Sequence, residues 1–422
     1  MAIFAPFSCS GQVRLAMLLT PLLLSLLTED AFCQGGGARP RRDTARRTAE
    51  PGPNDAEAED QDAEEADPVR NYKELPVDTS LKSQQSNIGR MLREGFPSAQ
   101  AQQFDEYYQK YALARWSLQK DVPDLLGYRK ELRNHLRLGK NRQAFDHLNA
   151  LALKFLTGLA EGDFHPAVRV NAMLAIGELN SVEPSASDSA VPLPEALTVL
   201  IDVVGNEKLP DAVRATAMVG VLRHAAAKVR DEEARRRLTA AMLEVLARDI
   251  PSGAAGPGRE WILGQAVESL GLLGAPGENN AVAKAILKVL ANKNLSFSTR
   301  TIAASALGGL AFNDTAGLNA SAAAAAVAQY ASDACAEEQR LSKETGYPVS
   351  RRRMKQQIEA AVSALTALTP IAGGNQKAAI ANLEKALKDA SAQFDPKEER
   401  DVSPVVQSLR QKLEGWLQKR SQ

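Results

Sequence analysis

One pattern occurs first in His165-Pro-Ala-Val-Arg-Val-Asn-Ala-Met-Leu-Ala-Ile-Gly177 and again in Leu209-Pro-Asp-Ala-Val-Arg-Ala-Thr-Ala-Met-Val-Gly-Val-Leu222. It recurs more loosely in Trp261-Ile-Leu-Gly-Gln-Ala-Val-Glu-Ser-Leu-Gly271 and Ser298-Thr-Arg-Thr-Ile-Ala-Ala-Ser-Ala-Leu-Gly308. Aligning Gly177, Leu222, Gly271 and Gly308 gives steps of 45, 49 and 37 residues. A period of roughly 40 residues that contains only helical patterns is typical of a stacked-helix solenoid.

Length and composition agree with this interpretation. The chain has 422 residues, enough for two or three ordinary domains, yet its apolar pattern does not divide into separate cores. In a solenoid each repeat buries its apolar faces against its neighbours, so one core extends along the chain. Aromatic residues make up only 5% of the sequence, and alternating runs of β-branched residues are nearly absent. The sequence therefore predicts an all-α protein.

Each repeated unit is predicted to be a pair of helices. The leading helices are expected at residues 141–160, 193–205, 234–248, 281–292 and 320–341, each followed by a turn and a second helix. The second helices begin with Pro166, Pro210 or Ser298 in three of the units. Proline suits a first helical turn because its missing N–H would have no acceptor within the helix there.

The second helices also carry a family resemblance. Pro166-x-Val168-Arg169-x-x-Ala172 and Pro210-x-x-Val213-Arg214-x-x-Ala217 resemble the second-helix signature of HEAT repeats, in the armadillo-like α-solenoid family. Arg300-x-x-Ala303-x-x-x-Leu307-Gly308 resembles it without the proline, and the third unit has Leu263 in place of the arginine. The resemblance implies a right-handed α-solenoid of antiparallel helix pairs that binds proteins or peptides along its inner surface.

The resemblance further implies a structural role for the repeated arginines. Arg169, Arg214 and Arg300 are expected near the junctions of adjacent repeats, paired with carboxylates or helix-terminal carbonyls rather than with a partner. The planar guanidinium fork suits such bridging.

The flanking regions are predicted to be helical caps around HEAT-like repeats at 140–370. An N-terminal cap is expected at 87–139 and a C-terminal cap at 371–422, because the ends of a solenoid must cover its exposed apolar faces. The N-terminal cap has an aromatic stripe containing Phe104, Tyr107, Tyr108 and Tyr111, continued by Trp116. These aromatics are interpreted as core, and an aromatic docking anchor remains the alternative.

Residues 1–33 are interpreted as a signal peptide. Arg14 precedes an apolar run from Leu15 to Leu27, and Ala31-Phe-Cys33 offers a cleavage position. A spanning helix needs roughly 20 residues, so export to the periplasm or beyond the cell is expected, with no stable transmembrane span after cleavage. Five arginines at 39–47 support the alternative, a membrane-anchored adaptor facing the cytoplasm.

Residues 34–80 are predicted to form a disordered linker, first basic and then acidic. Nine acidic residues and no basic one lie between Glu50 and Asp67, with too few apolar residues to offset the entropy of ordering. The chain after residue 68 has 45 basic and 39 acidic residues and is therefore mildly basic. The acidic stretch is either a soluble spacer or a competitor that covers a basic surface.

No catalytic, metal or cofactor site is predicted. The four histidines are far apart in sequence, and Cys-x-x-Cys, P-loop and Gly-x-Ser-x-Gly motifs are absent. An enzyme, or a regulatory subunit of one, with an unrecognised site in residues 87–139 remains an alternative, with Ser117, Lys120 and His135 as the residues to test. Cys335 is interpreted as a small buried side chain.

Two basic clusters are the candidate partner-binding residues. They are Arg235, Arg236 and Arg237, and Arg351, Arg352 and Arg353 together with Lys355. Nucleic acid is disfavoured because acidic residues precede the first cluster and no stacking aromatics lie in the second. An acidic protein or polymer is the favoured ligand if the clusters bind one, and a solvated surface is the alternative. The sequence thus predicts a non-catalytic, exported, protein-binding scaffold.

Overall fold

A computed structural model describes residues 71–312, 318–395 and 400–421, and these residues are almost entirely helical. The prediction of an all-α protein is confirmed. The helices are α1 (Gln85–Glu94), α2 (Ala101–Tyr107), α3 (Leu125–Leu138), α4 (Arg142–Glu161), α5 (Pro166–Glu178), α6 (Pro194–Gly205), α7 (Asp211–Ala226), α8 (Glu232–Ala247), α9 (Gly256–Leu273), α10 (Ala281–Ala291), α11 (Phe297–Gly308), α12 (Ala320–Thr345), α13 (Arg351–Leu368), α14 (Gly374–Ser391) and α15 (Ser403–Ser421).

The five leading helices form where the sequence predicts them, as α4, α6, α8, α10 and α12. Each begins within two residues of its predicted start and ends within four of its predicted end. Side-chain caps explain three of the five starts, those of α4, α8 and α12. The side chains of Asn141, Asp231 and Asn319 accept hydrogen bonds from backbone N–H groups three residues ahead, which would otherwise lack a partner. Among the second helices, Pro166 occupies the first turn of α5, whereas Pro210 is the residue that precedes α7.

A short antiparallel hairpin between α5 and α6 was not predicted. Strand β1 (Asn180–Val182) pairs with β2 (Val191–Pro192), and Val182 lies opposite Val191. The strands are too short for an alternating pattern of β-branched residues to be visible in the sequence.

The N-terminal region is helical but irregular. Helix α1 ends at Gly95, and after α2 the chain passes through a π-helical turn at Tyr108–Ala112 and two 3₁₀ segments before α3. The aromatic side chains of the predicted stripe are buried, so they form core and do not offer an aromatic docking anchor. The buried aromatic residues are Phe104, Tyr107, Tyr108, Tyr111 and Trp116.

An extended strap precedes this region. The backbone N–H of Lys73 donates to the carbonyl of Asp163, and that of Leu75 donates to Ser117 Oγ. The linker expected to end at residue 80 therefore gives way to packed chain by residue 73. The predicted signal peptide, the arginines at 39–47 and the acidic stretch lie outside the described residues. Within the part of the chain that is described, no helix is long and apolar enough to cross a membrane.

Helix contacts follow chain order. Each leading helix packs against the second helix that follows it: α4 on α5, α6 on α7, α8 on α9, α10 on α11 and α12 on α13. Each second helix also packs against the next, from α5 through α7, α9 and α11 to α13. At the C-terminal end, α14 packs on α13 and α15 packs on α12. The region 371–422, predicted to be a helical cap, thus contains the two helices α14 and α15.

The recurring glycines lie where second helices cross. A Cβ added to Gly177 would lie 3.0 Å from the Cα of Gly220, at the crossing of α5 and α7. One added to Gly271 would lie 2.6 Å from the Cα of Ala306, at the crossing of α9 and α11. Gly308 meets Ser363 of α13 in the same way. These backbones approach too closely for a larger side chain, which explains the glycine that ends the pattern in three of the four segments. The second segment ends in Leu222 and has its glycine at the crossing two residues earlier, at Gly220.

Candidate functional site

The three repeated arginines make the same contact. Each donates a hydrogen bond from Nε to a carbonyl near the end of the preceding leading helix: Arg169 to Ala160 (2.9 Å), Arg214 to Val204 (3.1 Å) and Arg300 to Leu290 (2.9 Å). The last carbonyls of a helix receive no hydrogen bond from a backbone N–H of the same helix. The guanidinium supplies the missing donor. This is the helix-terminal contact expected from the sequence.

Two of these arginines also form ion pairs. Arg214 donates to Asp211 at 2.9 Å, and Arg300 donates to Asp333 of α12 at 2.8 Å. Burial lowers the pKa of Arg214, which is 1% exposed. Six other residues of the repeated pattern are buried: Val168, Ala172, Val213, Ala217, Ala303 and Leu307. None of these six faces the open surface of the second helices. Pro166 and Pro210 are exposed at the helix starts, and Gly308 is half-buried.

The first basic cluster lies on leading helix α8. Arg236 forms an ion pair with Glu233 of its own helix at 2.6 Å, and Arg237 approaches Asp202 of α6 at 3.6 Å. Arg235 is half-buried. Two of the three charges are therefore balanced by carboxylates of this chain.

The second basic cluster is similarly occupied. Arg353 forms an ion pair with the buried carboxylate of Glu338, and Arg351 donates to the carbonyls of Gln393 and Asp395. Arg352 is exposed and Lys355 is half-buried. Among the described residues, the side chains of Arg352 and Lys355 thus make no hydrogen bond or ion pair, whereas those of the other two cations in the cluster do.

The residues named for an unrecognised enzyme site have structural contacts. Ser117 is buried, and its Oγ donates to the carbonyl of Ala114 while it accepts from the N–H of Leu75. His135 Nδ1 lies 2.9 Å from the hydroxyl of Tyr108, and burial lowers the pKa of this imidazole. Lys120 is exposed on a 3₁₀ segment.

Other chemically reactive groups are isolated. Cys335 is buried as expected, and burial raises the pKa of its thiol to about 12. Burial and the nearby Arg223 lower the pKa of His224 to about 4. In the described ranges, no three His, Cys, Asp or Glu residues are grouped so that they could hold a metal ion.

The surface that stands out lies on second helix α9. Leu263, Val267 and Leu270 are buried on one side, and Gly264 and Gly271 face α11 on the flank. By the 3.6-residue helical period, the side opposite the buried one carries positions 261, 265, 268 and 272. These positions are occupied by Trp261, Gln265, Glu268 and Leu272.

Equivalent positions on neighbouring second helices are accessible as well. Counted from the repeated arginine, or from Leu263 in α9, they lie two residues before it and two, five and nine residues after it. None of these sixteen residues is buried. We call them the open face: Ala167, Asn171, Leu174 and Glu178; Ala212, Thr216, Val219 and Arg223; Trp261, Gln265, Glu268 and Leu272; Ser298, Ile302, Ser305 and Gly309.

Its N-terminal portion is partly covered by α3. Arg129 and Arg133 lie 3.5 Å and 3.7 Å from the carboxylate of Glu178, and Arg129 also donates to Asn171. Arg223 donates to the carbonyl of Gly177, 2.8 Å away. The polar groups of α5 and α7 on the open face are thus mostly paired within the chain.

Helix α9 differs from these neighbours. Trp261 is 37% exposed and Leu272 is 42% exposed, and both are large apolar side chains on the open face. Between them, the side chain of Glu268 is half-buried and makes no hydrogen bond or ion pair with any residue of the described chain. Desolvation raises the pKa of its carboxyl group.

The chain matches no protein-family model and no curated protein. Its functional assignment therefore depends on the geometry of the open face.

Sequence reasoning missed the α9 residues as a site. Their signal is a tryptophan, a glutamate and a leucine at positions i, i+7 and i+11, on the side of α9 that polar residues would occupy in a solvated helix. The repeat alignment depends on Gly271 and gives no information about the opposite side of the helix, where Trp261, Glu268 and Leu272 lie.

Proposed function

We propose that the chain is a non-catalytic protein-binding scaffold, built as a right-handed solenoid of HEAT-like helix pairs. Support comes from the contact order: leading helices pack on their own second helices, and second helices pack on one another in sequence. The shared arginine contact and the glycine crossings recur from unit to unit, as expected for a repeated structure.

The observation that carries the binding function is the exposed pair Trp261 and Leu272 on the open face. Large apolar side chains that are exposed on the same surface favour protein–protein contact. Tryptophan is enriched among the residues that dominate binding energy. The neighbouring face of α11 carries Ser298, Ser305 and Gly309, whose small size leaves room for a ligand beside α9.

The partner in this proposal is another protein or peptide. The basic clusters contribute little to it, because most of their guanidinium groups are paired within the chain. Arg352 and Lys355 remain as the positions where an acidic segment of a partner would bind.

Site-specific photo-crosslinking tests this function. The photoreactive residue p-benzoylphenylalanine would replace Gln265, a half-buried residue of the open face. As the control it would replace Glu244, an exposed residue of leading helix α8. We expect a specific protein adduct in the native cells from position 265 and none from 244. Equal labelling from both positions, or none from either, would contradict the proposal.

The proposed location is outside the cytoplasm, periplasmic or extracellular. N-terminal analysis of the chain recovered from those cells tests it: a mature chain that starts near Gln34 is expected. An uncleaved chain in the membrane fraction with cytoplasmic adducts would favour the membrane-anchored adaptor instead.

A further inference from the structure

The α9 part of the open face has the dimensions of a short extended peptide. With a helical rise of 1.5 Å per residue, Trp261 and Glu268 are separated by about 10 Å along the axis, and Glu268 and Leu272 by about 6 Å. An extended chain advances about 3.3 Å per residue, so these intervals correspond to about three and two residues of a ligand.

The carboxylate of Glu268 is not neutralised by the helices that pack against α9. On α7, Arg223 is directed to Gly177 and to the side chain of Asn180. On α11, Arg300 is directed to Leu290 and Asp333.

Two further arginines near α9 have other partners. On α8, Arg237 pairs with Asp202. On α9 itself, Arg259 pairs with Asp211 at 2.8 Å. Glu268 therefore presents a negative charge, half-withdrawn from water, between two exposed apolar side chains.

The flanks of this stripe are compatible with a bound chain. On the α7 side, Val219 and Leu222 are half-buried and extend the apolar surface. On the α11 side, Ile302 is half-buried while Ser298 and Ser305 are small and exposed. A ligand on α9 would meet apolar contacts on one flank and open space on the other.

Charge decides which ligand fits. An acidic segment would be repelled by Glu268, and a wholly apolar one would bury the carboxylate without a partner, which is unfavourable. A lysine or arginine gains a charge-assisted hydrogen bond to a carboxylate that is already partly desolvated.

We propose that the α9 stripe of Trp261, Glu268 and Leu272 binds an extended segment of a partner protein in which a lysine or arginine lies between two apolar residues. The basic side chain pairs with Glu268. Side chains alternate along an extended chain, so the apolar residue that contacts Trp261 lies two or four positions away on one side, and the one that contacts Leu272 lies two positions away on the other. This inference rests on the proposed scaffold function and specifies its ligand.

A random 12-residue peptide-display library selected on the full chain provides the probe. We expect enriched peptides to contain a basic residue flanked by apolar residues at these spacings. The strongest peptide, labelled for fluorescence anisotropy, should bind Trp261→Ala and Glu268→Gln about tenfold or more weakly than the wild-type chain. Glu244→Gln and Tyr347→Ala are matched controls, since Tyr347 is an exposed aromatic (75%) in a loop outside the open face. Their affinities should stay within about twofold of wild type.

A charge exchange separates pairing from general loss of the surface. Replacing the basic residue of the peptide by glutamate should weaken binding to the wild-type chain, and Glu268→Lys should restore it. Circular dichroism of each variant checks that the fold is retained.

Three outcomes would overturn the inference: no enriched peptide, enriched peptides without a basic residue, or binding unaffected by the α9 changes. None of these decides the scaffold function, which the crosslinks from position 265 test separately.

Discussion

The guanidinium of Arg300 lies where three helices meet. It donates to the end of α10 through Leu290, pairs with Asp333 of α12, and lies over the rings of Phe297 and Tyr330. A charged group so deeply buried is stabilising only while all of its partners remain, because each of them is withdrawn from water as well.

Arg300→Ala should therefore destabilise the protein by about 2–3 kcal/mol, since it leaves the Leu290 carbonyl and the Asp333 carboxylate without their buried donor. Urea unfolding followed by circular dichroism measures the change. The control is Arg352→Ala, an exposed arginine on α13 for which a change within about 0.5 kcal/mol is expected. Equal effects of the two substitutions would show that the buried contact contributes no stability.

Whereas the contacts of Arg300 stabilise the protein, the ionised side chain of Glu268 should destabilise it. Burial raises the pKa of its carboxyl group, so between the unfolded and folded pKa values the native state binds more protons than the unfolded state. The free energy of unfolding is therefore not reduced by Glu268 below the unfolded pKa. It decreases as the pH rises through the folded pKa, because the buried carboxyl group must ionise. Glu268→Gln removes this decrease.

We expect Glu268→Gln to increase the free energy of unfolding relative to wild type as the pH is raised from 4 to 7.5, by up to about 0.5 kcal/mol at neutral pH. Urea midpoints across this range provide the measurement, and Glu244→Gln is the control whose difference from wild type should stay flat. A difference that shrinks with rising pH would mean that Glu268 has a cationic partner in solution. A residue that lowers stability yet forms the proposed ligand contact fits the common conflict between function and stability.

At the scale of elements, the close crossings of the second helices set the spacing of the structure. Helices α9 and α11 approach at Gly271, where an added Cβ would lie 2.6 Å from the Cα and 2.7 Å from the Cβ of Ala306. Neither atom can move without moving its helix. The crossing therefore tolerates only glycine.

Gly271→Ala should destabilise the protein by about 1–3 kcal/mol, because the two helices must separate to admit the methyl group. Gly158→Ala is the matched control: Gly158 lies inside α4, and an added Cβ there meets nothing within 4 Å. That change should stabilise by about 0.5–1 kcal/mol through helix propensity alone. Thermal unfolding of both variants distinguishes a steric effect from propensity, and stabilisation by both would contradict the crossing.

The sequence predicted the helices well and the surface poorly, for physical reasons. Helix periodicity and caps are local, so α4 and α10 could be placed within a residue or so of their observed bounds. The contact of Arg169 with a helix-terminal carbonyl was expected only from the resemblance of the pattern to HEAT repeats. The α9 stripe could not be placed in this way, because exposure of Trp261 depends on which side α7 and α11 leave uncovered. Internal pairing of Arg353 with Glu338 likewise depends on how α12 and α13 pack together.

At the scale of the whole molecule, the described helices contact mainly their neighbours in the chain. Helix α15 is an exception, because it packs on α12 and covers one end of the stack. Arg410 donates to the side chain of Gln339, and Arg420 donates to the carbonyl of Ser321. Leu409 and Leu413 are buried in this contact region. Their removal would expose an apolar side of α12, as expected for a terminal cap.

In a solenoid, stability is approximately a sum of repeat and nearest-neighbour terms, so loss of one cap should weaken only the adjacent repeats. A chain ending at residue 373 lacks α14 and α15 and therefore tests this directly. Hydrogen exchange measured by mass spectrometry should show protection lost by tenfold or more in α12 and α13, while peptides from α4–α7 exchange as in the full chain. The full chain carrying Lys412→Ala, an exposed change on α15, serves as the control and should match wild type throughout. Equal loss of protection from α4 to α13 would mean that the helices share one cooperative core, and the proposed solenoid would then be wrong even though every helix is correctly placed.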